Sequence, residues 1–187
     1  MGAEKARPHR KSGGRGAVVL LLLCGLPVAG LAASASPPLR YATTPFLEPD
    51  RCATAWVVRR YLHPDAVFEF HPHEAMPEGV VLYDLPEAEF KRDARRTTVE
   101  RLVQKSGLTD PFVARLVRLI HDIEINAWAR RDQSGSLRFQ QTLMSAIGRA
   151  GSASAALPVC FELLDRLRDV QGDVDRWAES LRPVPTE

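Results

Sequence analysis

Three kinds of hydrophobic pattern follow one another along the 187-residue chain. The first is an uncharged run from Ala17 to about Ala35, with AVVLLLLCGLPVAGLA at its centre. At about 17 apolar residues, broken by Gly25, Pro27 and Gly30, it falls short of the roughly 20 that a spanning helix needs. The second is strand-like. Ala66–Phe70 alternates apolar and polar positions, Gly79–Tyr83 is a mostly apolar run suited to a buried strand, and a short opening strand is expected through Ala42–Leu47. Between the first two strands RCATAWVVRRYL reads as a helix with Asp50 as its N-cap, ended by His63-Pro64-Asp65. The third pattern is helical from Thr97 onward. It predicts a short helix over Thr97–Lys105 closed by Gly107, and a buried helix opened by Asp110-Pro111. That helix carries Phe112, Leu116, Leu119, Ile120 and Ile123 on one stripe, with Val113, Val117 and Trp128 beside it. After a polar loop, Arg130–Ser136, helices follow at about Leu137–Arg149 and Leu157–Leu181, the last with a break at Gly172. The expected fold class is α/β: a small sheet with packed helices, followed by an all-helical C-terminal half.

Charge changes the picture at the N-terminus. Lys5, Arg7, Arg10, Lys11 and Arg15 stand against one acid, Glu4, ahead of the apolar run. A basic stem, a short apolar segment and small residues make a secretory signal, with Ala33-Ser34-Ala35 as the cleavage motif and Gly30-Leu31-Ala32 as an alternative. The expected organisation is a signal peptide over 1–35, a Pro-rich linker over 36–44 and one domain over 45–187. The product would be periplasmic or secreted, with no stable membrane span after cleavage; an uncleaved N-terminal anchor is the alternative. The full chain has 25 bases and 23 acids; losing five bases and one acid leaves 20 against 22, or net −2. Such a domain has no bulk electrostatic reason to bind nucleic acid. Cys52 and Cys160 would remain, and an oxidising compartment would let them pair, although their spacing does not say whether they meet.

Candidate chemistry lies mainly on two helices. On the first, helical spacing lines up Cys52, Trp56, Arg59 and His63. Arg59 and Arg60 are permanently charged planar forks suited to oxyanions, or simply solvated ends of a helix that complement its dipole. On the second, His121-Asp122 sits in the most apolar helix, with Glu124 close by; a buried imidazole beside a carboxylate is a metal ligand, a proton carrier or a satisfied core residue. Asp122 could also pair with Arg118 one turn earlier. His71-Pro72-His73 has the alternate spacing of a strand pair, but Pro72 favours a loop. Cys52 near a helix start has no assigned base. Glycine-rich phosphate loops, paired CxxC motifs and a GxSxG elbow are absent from the sequence.

The stretch Asp50-Arg51-Cys52-Ala53-Thr54-Ala55-Trp56-Val57-Val58-Arg59-Arg60-Tyr61, followed by Pro64-Asp65-Ala66-Val67-Phe68, resembles the signature of the chromate-resistance exported protein family. The same domain forms the C-terminal half of the chromate-responsive regulator ChrB. Tyr83-Asp84, Ala88-Glu89-Phe90, Gly107-Leu108-Thr109-Asp110-Pro111 and His121-Asp122-Ile123-Glu124-Ile125 support the resemblance, which covers about residues 45–128. The chain departs from the family pattern at Arg92 and Thr97, where a His and then a Cys are common, and that weakens any metal site. A second likeness is to the opening of DHH-type phosphoesterases, through Asp50, the Ala-Trp helix and Asp84.

The resemblance implies a protein that contributes to chromate resistance by binding chromate, another oxyanion or a metal ion. Arg59, Arg60 and a protonated His121 would donate to the oxyanion, Asp122 would orient the imidazole, and Trp56 would form a wall. The rival is a metal-dependent hydrolase or redox enzyme in which Asp50, Asp84, His121 and Asp122 hold a divalent metal ion. A third reading is an envelope interaction module that pairs through the C-terminal helices. No catalytic residue is assigned, and whether the protein is an enzyme stays open.

Overall fold

A computed structural model describes residues 37–126 and 135–181. The stretch expected to be a signal peptide, Trp128 and residues 130–134 of the expected loop lie outside the described residues. Strand β1 (Arg40–Thr43) is central, with β2 (Val67–Phe70) on one side and β3 (Val81–Leu82) on the other, all parallel. The register sets Tyr41 against Phe68 and Val81, and Ala42 against Glu69 and Leu82. β1 opens inside the stretch read as a linker and ends short of Leu47. Tyr41, Ala42 and Thr43 are all buried, so this strand lacks the alternation that marks a half-exposed one. The Tyr41 ring stacks on Phe68 at 5.6 Å.

Helix α1 (Pro49–Val57) leaves β1, continues as a π-helical turn over Val58–Leu62 and stops at His63, where Pro64 was expected to end it. Its start differs from expectation. Pro49 occupies the first turn, a position its fixed φ suits, and Glu48 takes the cap position. Asp50 therefore lies inside the helix, and its carboxylate turns to another element. Every residue of α1 is buried.

Helix α2 (Thr98–Ser106) begins with a capping box between Thr97 and Glu100 and ends at Gly107 in the left-handed conformation (φ 68°). Helix α3 (Pro111–Glu124) has Asp110 as its cap, accepting from the Val113 amide, and buries the expected stripe. Helix α4 (Ser136–Ala150) follows. The last expected helix is two, α5 (Ala153–Asp169) and α6 (Val174–Ser180). The break falls at Gln171 and Gly172, both with positive φ. α5 starts earlier than Leu157 because the Ser152 hydroxyl caps it at the Ala155 amide, and Pro158 is absorbed within it.

The α/β reading holds. The core joins α1 to the C-terminal helices. Cys52 of α1 and Cys160 of α5 form a disulfide with Cα atoms 5.9 Å apart, so the two cysteines do meet. Phe139 packs against Trp177 at 5.2 Å, and the Trp177 indole donates to the Leu163 carbonyl at 2.9 Å. Among the described residues no helix is long and apolar enough to cross a membrane.

Candidate functional site

In open parallel sheets the chain leaves neighbouring strands in opposite directions at one point, and ligands favour the crevice beyond the strands' carboxyl ends there. Here that point lies between β1 and β3. It holds a buried cluster of charges. Asp84 lies two residues past Leu82 of β3, buried and in a left-handed conformation (φ 53°). Arg51 of α1 donates from Nε to Asp84 Oδ2 at 2.6 Å and from Nη2 to the Asp84 carbonyl at 3.1 Å. Its Nη1 donates to Thr44 Oγ1 and to the Phe46 carbonyl, both at 2.6 Å. One guanidinium thus fastens the exits of both strands. Thr98 donates its hydroxyl to Asp84 Oδ1 at 2.7 Å.

Asp50 accepts the Thr98 amide at 2.6 Å and the Val99 amide at 2.9 Å. It is an N-terminal cap after all, but for α2 rather than for its own helix. Its carboxyl is raised to about 7: burial is the main cause, the two amides oppose it, and the carboxylates of Asp84 and Glu124 add to it. Burial also raises Glu124, against the opposing pull of Arg92. Arg92 closes the cluster, donating to Glu124 Oε2 at 3.0 Å and to Asp84 Oδ2 at 3.2 Å, and pairing with Glu48.

Of the four residues expected to hold a metal, the structure brings Asp50 and Asp84 together through Thr98. His121 instead pairs through Nδ1 with Glu100 at 3.0 Å, and Asp122 is buried with Asn126 donating to it at 3.3 Å. Arg118 does not pair with Asp122. Among the described residues no three His, Cys, Asp or Glu side chains are grouped as a metal ion would require. The centre of the carboxylates is occupied by the Arg92 guanidinium. His71 pairs with Glu69 and His73 with Glu87, so those two imidazoles have separate partners.

The oxyanion candidates separate in a similar way. Trp56 and Arg60 come together at the far end of α1, where both donate to Asp165 of α5. The Trp56 indole reaches Oδ1 at 3.0 Å; Arg60 grips both oxygens, Nε to Oδ1 at 3.1 Å and Nη2 to Oδ2 at 2.5 Å. Arg168 approaches the same carboxylate at 3.3 Å and lies 5.7 Å from the Trp56 ring. Arg59 donates to the Ala66 carbonyl, and His121 is held by Glu100. Trp56 is therefore a donor as well as a wall, and Arg168 and Asp165 join it in place of Arg59 and His121. The i,i+3 spacing of Asp165 and Arg168 was visible in the sequence, but which face of α5 meets α1 was not. Arg51 and Thr98 were also missed, although Arg51 adjoins Asp50 and Thr98 follows a capping signal.

The pattern of the family described as ChrB, C-terminal domain, matches residues 41–170. Protein ChrB of Cupriavidus metallidurans is 30% identical over 130 residues, which cover 68% of this chain and 39% of that protein. The chain thus spans well under half the length of this relative. No solved structure matches.

Proposed function

The chain belongs to the ChrB C-terminal-domain family, a chromate-resistance-related family, and from that premise we propose that it serves resistance outside the cytoplasm by binding a chromate-class oxyanion where α1 meets α5. The observation that carries this reading is the convergence of Trp56, Arg60 and Arg168 on the one carboxylate of Asp165. These are the donors that a tetrahedral dianion recruits: planar forks and a fixed N–H, in a cleft partly shielded from water. Asp165 is the chain's own anion in that cradle. Arg60 and Asp165 keep 36% and 24% of their side chains exposed, so an incoming dianion has access. Two guanidiniums against one carboxylate leave the cradle positive. The cluster at the sheet end, with Glu48, Asp50, Asp84 and Glu124 against Arg51 and Arg92, carries the opposite excess and would repel chromate. The N-terminal signal pattern supports export, and the Cys52–Cys160 bond suits an oxidising compartment.

Equilibrium dialysis of the purified protein against chromate tests the site. Arg60→Ala should weaken binding about tenfold or more, the loss expected for a charge-assisted pair worth roughly 1.5–3 kcal/mol. Asp165→Asn, which removes the internal competitor, should strengthen it. Unchanged affinity in both variants would remove oxyanion binding from this junction.

A second reading, a divalent-cation centre built on Asp50 and Asp84, draws on a single observation: the Arg92 cation is held among Asp84, Glu124 and Glu48. It predicts stoichiometric metal in the protein as purified, and elemental analysis decides it.

A further inference from the structure

A second concentration of guanidinium groups lies away from both clusters, on the outer face of α3. Arg115 and Arg118, one helical turn apart, line a cavity of about 180 Å³ between α3 and the turn joining α5 to α6. Its floor is Phe112, Leu116, Leu119, Leu167 and Val174. All five are nearly buried, so they offer the cavity little apolar surface. Both arginines are exposed where they line it. For scale, a cavity of about 150 Å³ holds benzene; this one has room for a tetrahedral oxyanion and accompanying water.

The state of these arginines sets them apart from those already described. Arg51, Arg60 and Arg92 each meet a carboxylate. Arg115 meets none among the described residues and donates only to the Gln171 carbonyl. Arg118 has no hydrogen bond or ion pair with a described residue. No acid is among the residues that line the cavity, and the turn's carbonyls are engaged. The carbonyls of Leu167, Arg168 and Val170 accept from the amides of Gly172, Gln171 and Asp173, and that of Gln171 accepts from Arg115. Asp173 is committed to the α6 amides of Asp175 and Arg176, and Asp175 to Arg138. The turn also fixes Arg115. Gly172 has φ 80°, which suits glycine, and the Arg115 stem packs beside it.

We propose that Arg115 and Arg118, placed side by side over this cavity, form a second oxyanion site that takes a sulfate-sized tetrahedral dianion. It goes beyond the α1–α5 cradle and does not depend on it. The cradle must lose an internal carboxylate before it can bind. The α3 site has no such competitor, so it fills at the lower oxyanion concentration. Its donors are forks that can grip two oxygens each, and one of them is already oriented.

Calorimetric titration of the full chain with sodium sulfate at low ionic strength tests this, sulfate being a tetrahedral dianion that does not oxidise protein. The expected result is a tight site that Arg115→Gln with Arg118→Gln weakens at least tenfold, while Arg60→Ala leaves it unchanged. Both arginines are exposed, and an unaltered melting temperature in the double variant confirms that the fold is kept. If sulfate binds and the double variant binds it equally well, the α3 site is overturned while the cradle reading stands. If the only site found is lost in the double variant, the α3 site stands, and chromate dialysis of Arg60→Ala judges the cradle. If the wild-type protein takes up no sulfate at millimolar concentration, the α3 site is overturned as well. Chromate dialysis then judges the cradle alone.

Discussion

The two ends of α1 carry the same chemistry in different surroundings. At the N-terminal end Asp50 and Arg51 are buried and their partners are fixed: amides of α2, the Asp84 carboxylate, and the exits of two strands. At the C-terminal end Arg60 also meets a carboxylate with two of its nitrogens, yet it is partly open to water. Burial decides what each arginine does. A guanidinium enclosed on all sides becomes part of the architecture, because removing it strands a charge in a poor solvent. A guanidinium at the surface gains little from its partner and can exchange it. This contrast is why the more conspicuous cluster is the poorer candidate for reversible anion binding, and the more modest pair the better one.

The sharpest way to break the comparison is to remove Arg51. Arg51→Ala would leave the Asp84 carboxylate, its carbonyl, Thr44 Oγ1 and the Phe46 carbonyl without their common donor. The expected loss is about 3–5 kcal/mol, the cost of breaking a buried pair from one side. Urea unfolding reads it as a fall in the midpoint at unchanged slope. A loss comparable to that of a surface pair would mean that water reaches this cluster and that the two ends of α1 are alike.

Asp50 offers a sharper probe of the same end, through pH. Its carboxyl is raised in the folded protein from 3.8 to about 7. The folded state therefore holds a proton that the unfolded state has released between these values, and stability from this group falls as pH rises from about 4 to about 7. Asp50→Asn cannot titrate. The melting temperature of the wild type relative to this variant should therefore decline across that interval and level off above it. Parallel melting curves from pH 4 to pH 8 would show that Asp50 stays ionised and that its two amide donors outweigh its burial.

Much of this arrangement was legible in the sequence at the level of elements. Pro64 ended α1, Gly107 closed α2, Asp110-Pro111 opened α3, and the α3 stripe was buried as its period required. Where the reading went astray, tertiary contact overrode a local signal. Asp50 looked like the cap of α1, but Pro49 set the helix start two residues sooner and released the carboxylate to α2. β1 had no alternation to read because the central strand of a parallel sheet is covered on both faces. The site was harder still. Asp50 and Asp84, read as two of four metal ligands, lie together through Thr98, but nothing in the linear order says that Arg92 would fill the space among the carboxylates. Nor does it say that Asp165, more than a hundred residues from Trp56, would be the anion between Trp56 and Arg60.

The smallest expected effect is the most discriminating for function. Arg60→Ala removes the fork from Asp165 but leaves that carboxylate the Trp56 indole and Arg168 as partners. The stability lost should therefore be about 0.2–1 kcal/mol, as for other exposed pairs. Arg60 also lies 5.7 Å from the Phe161 ring, which adds a stacking contribution to what alanine removes. Arg60→Lys separates the two roles: it keeps the charge and loses the two-toothed grip. If that grip binds oxyanion, the lysine variant should melt with the wild type yet bind chromate almost as weakly as the alanine variant. If chromate feels only the net charge of the cradle, lysine should restore binding in full. A stability loss of several kcal/mol in either variant would make Arg60 a second Arg51, architectural rather than exchangeable.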